Sequence, residues 1–462
     1  MDNRNKKTLW ASISGVLTAV FGVIGALKES FPLWAVVAVV VGGAILSAYP
    51  YLVDIYRMIT DAVTSRYTPD ISHENDKFAS MTISARFEDN FCKATGIDLS
   101  GRYKKFCREA VMSAQSIVDI FPNGEADEYY AKWKELMAKY GLIGADKNLQ
   151  YLFENTPFIF AEHYYFYHIL KLSKDADPWA AEKSRSLDSI AKVEGESNRI
   201  TRLINAYNSK DGLNRILNQS VFANSTDLSQ QNSVVENAES CCDSEIYDYI
   251  IDDKREIQRY FNNSLKNKTV HIIVDNSGIE LISDLVLGAY LIKTGCANEV
   301  IYHHNILPIF VSDAIKADFE AAIKAIKQKD GTLGGYIETL FTKSGDAEGR
   351  RMVLSANAFW NMPFPFKEMP DSLLNQFNGE NVGLIIIKGD LNYRRLVEDK
   401  KWKITECIDS HIEYFGKPLL ILRSLKSNTL LGVDKAKLKS LATLPENWKT
   451  TGDYGIIQFI KK

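Results

Sequence analysis

The chain has 462 residues, 46% hydrophobic and 24% charged; at roughly 100–200 residues per domain it can bury conventional cores in two or three domains. Its formal net charge of -3 lacks the basic footprint of a nucleic-acid binder, so no nucleic-acid partner is expected. The six cysteines form no CxxC pair, which argues against structural zinc and a disulfide framework and fits a reducing compartment.

In chain order, the first signals are two runs without a charge, Leu9 to Leu27 and Phe31 to Val53. As helices they reach roughly 28–35 Å, the thickness of a bilayer core. Trp10, Trp34, Tyr49 and Tyr51 lie near their ends, where interfacial aromatics belong. Arg4, Lys6 and Lys7 precede the first run, Arg57 and Arg66 follow the second, and the turn holds only Lys28 beside Glu29. The pattern predicts a transmembrane hairpin within residues 1–67, in contact with the lipid bilayer, with both termini cytoplasmic. Gly15, Gly22, Gly25, Gly42 and Gly43 permit close helix packing and, through it, a homo-oligomer.

After the polar stretch Thr68 to Lys77, apolar residues recur at three- and four-residue spacing up to about residue 205, which predicts a helical domain over 68–205. Residues 206–243, rich in Asn, Ser and Gln, read as a polar linker or insertion. From 244 to 462 short β-rich runs alternate with helical ones: "TVHIIVDN", "NEVIYHH", "RMVLSA", "NVGLIIIKGD", "KPLLILRS" and "YGIIQFIKK". Strands apolar on both faces predict an α/β domain with a largely parallel sheet covered by helices. Ligands of such sheets bind outside the carboxyl ends of the strands, so those ends deserve a chemical reading.

Four strand ends carry polar clusters. The first ends at Asp275-Asn276, the second is followed by Asp313, the third delivers Lys388, Asp390, Asn392 and Arg394, and the fourth Arg423 and Lys426. Taken singly, each reads as a turn, a helix cap or a solvated charge. Together, two carboxylates and an amide oxygen make a hard donor set of the kind that suits magnesium or manganese. Arg423 and Lys426 supply positive charge for a phosphoryl group. The combination points to metal-assisted phosphoryl chemistry.

On "VDNSGIELISDLVL", "FVSDAI", "FWNMPFPFKEMP", "IIIKGDLNYRRLVEDKKW", "LRSLKS" and "NWKTTGDYGIIQF", in that order, the chain resembles the damage-control phosphatase family, also called acidic-residue methyltransferase-like. The subfamily's Arg-Thr-x-Lys signature reads here Arg423-Ser424-Leu425-Lys426, and a weaker likeness covers the aromatic stretch around Glu162. The resemblance implies a helical N-terminal part on a Rossmann-like core that binds one divalent metal on Asp275, Asn276 and Asp313. Manganese is expected, with magnesium, nickel or cobalt as alternatives. It implies further that Lys388, Gly389, Asp390, Leu391, Asn392 and Lys426 contact the substrate's phosphate. Asp275, Asn276 and Asp390 are the expected catalytic residues, with Arg423 neutralising charge. The expected ligand is a phosphorylated small molecule, a sugar phosphate or a nucleotide, and the expected function is that of a membrane-anchored phosphatase. Two alternatives stand beside it: a carboxyl methyltransferase of the same family, and a membrane sensor whose hairpin is the output. The chain departs from the family in lacking a clear Arg-Leu-Pro segment near the N-terminus and in placing Asn305 where a Lys is usual.

Overall fold

The computed structural model describes residues 113–142, 149–173, 175–195, 198–223 and 248–462, together with Phe87, Asn90, Lys93 and Ala94. All belong to the unit Pro69–Lys462. The first part is helical: α1 Ala114–Val118, α2 Tyr130–Lys139, α3 Leu149–Asn155, α4 Phe158–Leu172, α5 Ala180–Lys192, α6 Arg199–Asn208 and α7 Gly212–Phe222. Strands and helices then alternate through β1 Asp248–Asp252, α8 Lys254–Asn263, β2 Lys268–Ile273, α9 Ile279–Lys293, β3 Ala297–His304, α10 Lys316–Lys329, α11 Gly331–Leu340 and β4 Arg351–Ala356. The chain closes with α12 Asp371–Phe377, β5 Val382–Lys388, α13 Asp390–Leu396, β6 Leu419–Ser424, α14 Leu438–Leu441 and β7 Tyr454–Ile460.

Among the described residues these strands form a seven-stranded sheet in the order β1-β7-β6-β5-β2-β3-β4. The central strands from β6 to β4 are mutually parallel, β7 runs antiparallel to β6, and β1 is parallel to β7. Mixed α/β architecture and a mostly parallel sheet are thus what the alternating apolar runs predicted. The chain leaves β2 toward β3 and β4, then returns to lay β5 and β6 on the other side of β2. The gap between the ends of β2 and β5 is the switch point at which sheets of this kind bind ligands.

The inner strands β2, β5 and β6 are buried on both faces, and the strand alternation explains why. Ile273, Ile385, Ile387, Leu419 and Ile421 face a core built by the aromatic N-terminal helices, with Trp133, Phe160, Tyr167 and Trp179, and by the Phe359–Phe377 region. Val270, Ile272, Leu384, Ile386, Leu420 and Leu422 face a second core with α6, α7, α9, α10 and α11. The segment 206–243, expected as a polar linker, takes in the end of α6 and the whole of α7, whose Leu213, Ile216, Leu217 and Val221 are buried in that second core. Those four apolar side chains share one helix face, while the Asn and Gln residues that dominate the composition sit between them.

The membrane location is corrected. Among the described residues no helix is long and apolar enough to cross a membrane. The apolar helices α4 and α9 have 15 residues each, about 22 Å, which falls short of a roughly 30 Å hydrocarbon core. The runs 9–27 and 31–53 on which the hairpin expectation rested lie outside the described residues.

Candidate active site at the sheet switch point

β2 ends at Ile273, and the chain then runs through Asp275 and Asn276 to Gly278, whose φ of 69° opens α9. A second loop, from Phe310 to Ala314, is strapped to this one by main-chain bonds. The Ser277 N–H donates to the Ser312 carbonyl at 2.7 Å, and the Ala314 N–H donates to the Asp275 carbonyl at 3.1 Å. Asn276 and Asp313 are bridge partners, so their backbones are held side by side although they are far apart in sequence. From the helical part, Lys183 on α5 donates to the Asp313 carbonyl at 2.7 Å while pairing with Asp177 and Asp318.

β5 supplies the opposite wall. Gly389 follows it with φ 82° and ψ 171°. A Cβ at Gly389 would stand 1.9 Å from the Asp275 Oδ2, so only glycine lets these two strand ends approach. Asp390 opens α13 and accepts at Oδ1 from the Arg423 guanidinium at 2.8 Å and from the Lys426 N–H at 3.0 Å. Burial opposes its charge, but Arg423 and then Arg394 outweigh that and hold the Asp390 carboxyl below its ordinary range.

These walls enclose a cavity of about 130 Å³. It is lined by Asp275, Asn276, Asp313, Gly389, Asp390, Leu391 and Lys426 among the residues expected from the sequence. Three other expected contacts lie behind it. Lys388 is fully buried and spends its ammonium on Asp284 at 2.7 Å and Glu280 at 3.2 Å. Asn392 donates to the Val274 and Lys388 carbonyls, tying the end of β2 to that of β5. Arg423 stacks on Tyr393 and donates to the Thr429 carbonyl and the Ser427 hydroxyl as well as to Asp390.

Other side chains line the cavity without having been assigned to it. Arg394 comes from α13, paired with Asp399 at 2.8 Å and Glu162 at 3.2 Å. Glu162 itself, Asn90, Glu280, Ser424 and the rings of Phe87, Phe166 and Phe310 also line it. Arg394 sits two residues beyond the expected Lys388–Asn392 segment, one helical step from Asp390. Asn90 and Phe87 carry no local signal, because their role exists only through long-range contact.

Among the described residues Glu162, Asp275, Glu280, Asp313 and Asp390 line the cavity together with Arg394 and Lys426. Arg394 pairs with Glu162, Lys388 with Glu280 and Arg423 with Asp390, so Asp275 and Asp313 are the carboxylates placed to meet a cation. Burial, then the charges of Glu280 and Asp313, push the Asp275 carboxyl well above its ordinary range. Burial likewise pushes Asp313 up to about 7, against the Phe310 N–H that donates to its Oδ2 at 3.0 Å. Among the described residues no three His, Cys, Asp or Glu side chains are grouped so as to hold a metal by themselves. Asp275, Asp313 and the Asn276 amide oxygen are the hard oxygen donors of the lining that could hold a divalent cation.

A family model described as the damage-control phosphatase ARMT1-like domain matches residues 101–441. Damage-control phosphatase ARMT1 of Rattus norvegicus is 35% identical over 196 residues, which cover 41% of this chain and 43% of the relative. The protein of that name from Danio rerio is 36% identical over 203 residues, covering 43% and 44%. That from Homo sapiens is 29% identical over 269 residues, covering 54% and 59%. The chain thus spans less than half the length of the first two relatives.

Proposed function

Because the chain belongs to the damage-control phosphatase ARMT1-like domain family, we propose that it is a divalent-metal-dependent phosphatase hydrolysing phosphate esters of small metabolites, sugar phosphates or nucleotides. One observation carries this reading: a hard oxygen triad faces two cationic side chains across a single cavity at the switch point of the sheet. Asp275, Asn276 and Asp313 would hold the metal, manganese by preference and magnesium, nickel or cobalt otherwise. Bound there, a divalent cation supplies charge neutralisation and polarises a phosphoryl oxygen.

The chain's own side chains do the rest. Lys426 binds a non-bridging phosphate oxygen as a point charge, and Arg394, whose Nε and Nη2 are held by Asp399, adds its positive charge to the cavity wall. Their positive charge stabilises the charge that spreads over the non-bridging oxygens as the ester bond breaks. Asp390, kept ionised by Arg423, accepts a hydrogen bond from a substrate hydroxyl and so orients the ester. Phe166 and Phe310 offer an apolar wall for the body of the ligand. Lys388, Asn392 and Arg423 act through the residues they brace.

The test is phosphate release from a panel of sugar phosphates and nucleotides by the full chain with manganese, with and without a chelator. Turnover of at least one ester that stops on chelation is the expected result. Silence across the panel, or turnover indifferent to the chelator, counts against the reading.

A further inference from the structure

Asn276 can serve as an oxygen donor only if its amide is turned the right way, since the opposite rotamer would present an NH2 group to the cavity. Both hydrogens of its Nδ2 are occupied in the structure. One goes to the Asp275 Oδ2 at 2.7 Å and the other to the Glu280 Oε2 at 2.9 Å. On the other side, the Ser312 hydroxyl donates to the Asn276 Oδ1. The two carboxylates therefore select one orientation, and the Ser312 hydroxyl, able to donate or accept, conforms to it.

Glu280 is itself held. Its other carboxylate oxygen, Oε1, lies 3.2 Å from the Lys388 Nζ, and that ammonium also reaches the Asp284 Oδ1 at 2.7 Å and the Ser220 carbonyl at 3.2 Å. Lys388 and Asp284 are sealed from solvent and Glu280 is only 4% exposed. Acceptors on α7 and α9 thus converge on the ammonium of Lys388 from β5, which holds one oxygen of the Glu280 carboxylate while the other faces the Asn276 amide. The chemistry is directional: a carboxylate can only accept, so it admits Nδ2 and rejects Oδ1.

We infer that Glu280, braced by Lys388, is a positioning residue that sets the rotation of the Asn276 amide and so presents its oxygen to a divalent cation. This rests on the metal-dependent reading above and assigns a role within it. Glu280→Gln tests it with little change of shape. Lys388 requires an acceptor, so the oxygen of the introduced carboxamide turns toward it, and the carboxamide NH2 meets the Asn276 NH2, donor against donor. The Asn276 amide must then flip or drift.

The measurement is manganese affinity of the full chain by titration calorimetry, with folding checked by circular dichroism. Removing such an outer partner typically weakens metal binding about 10–100-fold, and that loss is expected for Glu280→Gln. Asp284→Asn is the control: it touches the same lysine but makes no contact with Asn276, so its manganese affinity should stay near that of the wild type. A purely structural role predicts lower thermal stability in both variants and no selective loss of affinity in Glu280→Gln. Should Glu280→Gln not fold, Glu280→Ala decides in its place. Affinity equal to wild type in the folded Glu280 variant, or equal losses in the Glu280 and Asp284 variants, overturns the inference. Failure of the wild-type chain to bind manganese is a separate result, which removes the metal-dependent reading itself.

Discussion

Gly389→Ala should be among the most damaging one-carbon changes in this protein. The residue sits at φ 82° and ψ 171°, a region that is essentially glycine's alone and costs other residues about 1–3 kcal/mol. The new Cβ would meet the Asp275 Oδ2 at 1.9 Å, its Cγ at 2.2 Å and its Cβ at 2.6 Å, where real contacts stay above 3.0 Å. Rotating the carboxylate cannot relieve a clash with the Asp275 Cβ, so the ends of β2 and β5 must part. Overpacking of this kind costs about 1–3 kcal/mol, and the two effects together come to roughly 2–6 kcal/mol. Against a total stability of about 5–15 kcal/mol, the variant should fold weakly. Whatever folds should bind manganese poorly, because Asp275 has moved. Urea denaturation gives the first quantity and titration calorimetry the second. Stability within about 0.5 kcal/mol of wild type, with unchanged manganese affinity, would refute the close approach on which the site's geometry depends.

Two further predictions follow from buried charges. Arg423→Met leaves Asp390 with its main partner gone, and breaking a buried pair in this way costs about 3–5 kcal/mol; a loss under about 1 kcal/mol in urea denaturation would show that Arg423 is not the brace described. His163 is buried, and burial followed by the charge of Arg395 lowers its pKa from 6.5 to about 3. A depressed folded-state value means that its contribution to stability is complete above pH 6.5 and is lost as the pH falls toward 3. At pH 5 that loss is about 2 kcal/mol. His163→Phe should therefore lose less stability than wild type between about pH 7.5 and pH 5, and identical losses would contradict the assignment.

The strands could be read from the sequence because both of their faces are buried, which leaves unbroken apolar runs such as Val382 to Ile387. Part of the cavity lining could be read for a related reason. In a parallel sheet the strand ends define the ligand crevice, so Asp275, Asn276 and Asp390 were marked by position as much as by type. Lys388, Asn392 and Arg423 show where this logic runs out. Each stands at a strand end or in the helical turn just after it, but its partner, Asp284, the Val274 carbonyl or the Thr429 carbonyl, belongs to another element, and nothing local announces the pairing. Alternation offered one hint for Lys388: it shares a strand face with Ile386, which points into the core beneath α9. Glu162 and Asn90 reach the cavity from helices far upstream, and α7 was hidden by the Asn and Gln residues around its apolar face.

The central claim is that one carboxylate, Asp275, is required both for metal binding and for phosphate-ester hydrolysis. Its most direct test is Asp275→Ala, folded by circular dichroism, measured side by side for manganese binding and for phosphate release on whichever ester the wild type turns over. Both are expected to be lost together. A folded Asp275→Ala protein that still releases phosphate at the wild-type rate would contradict it.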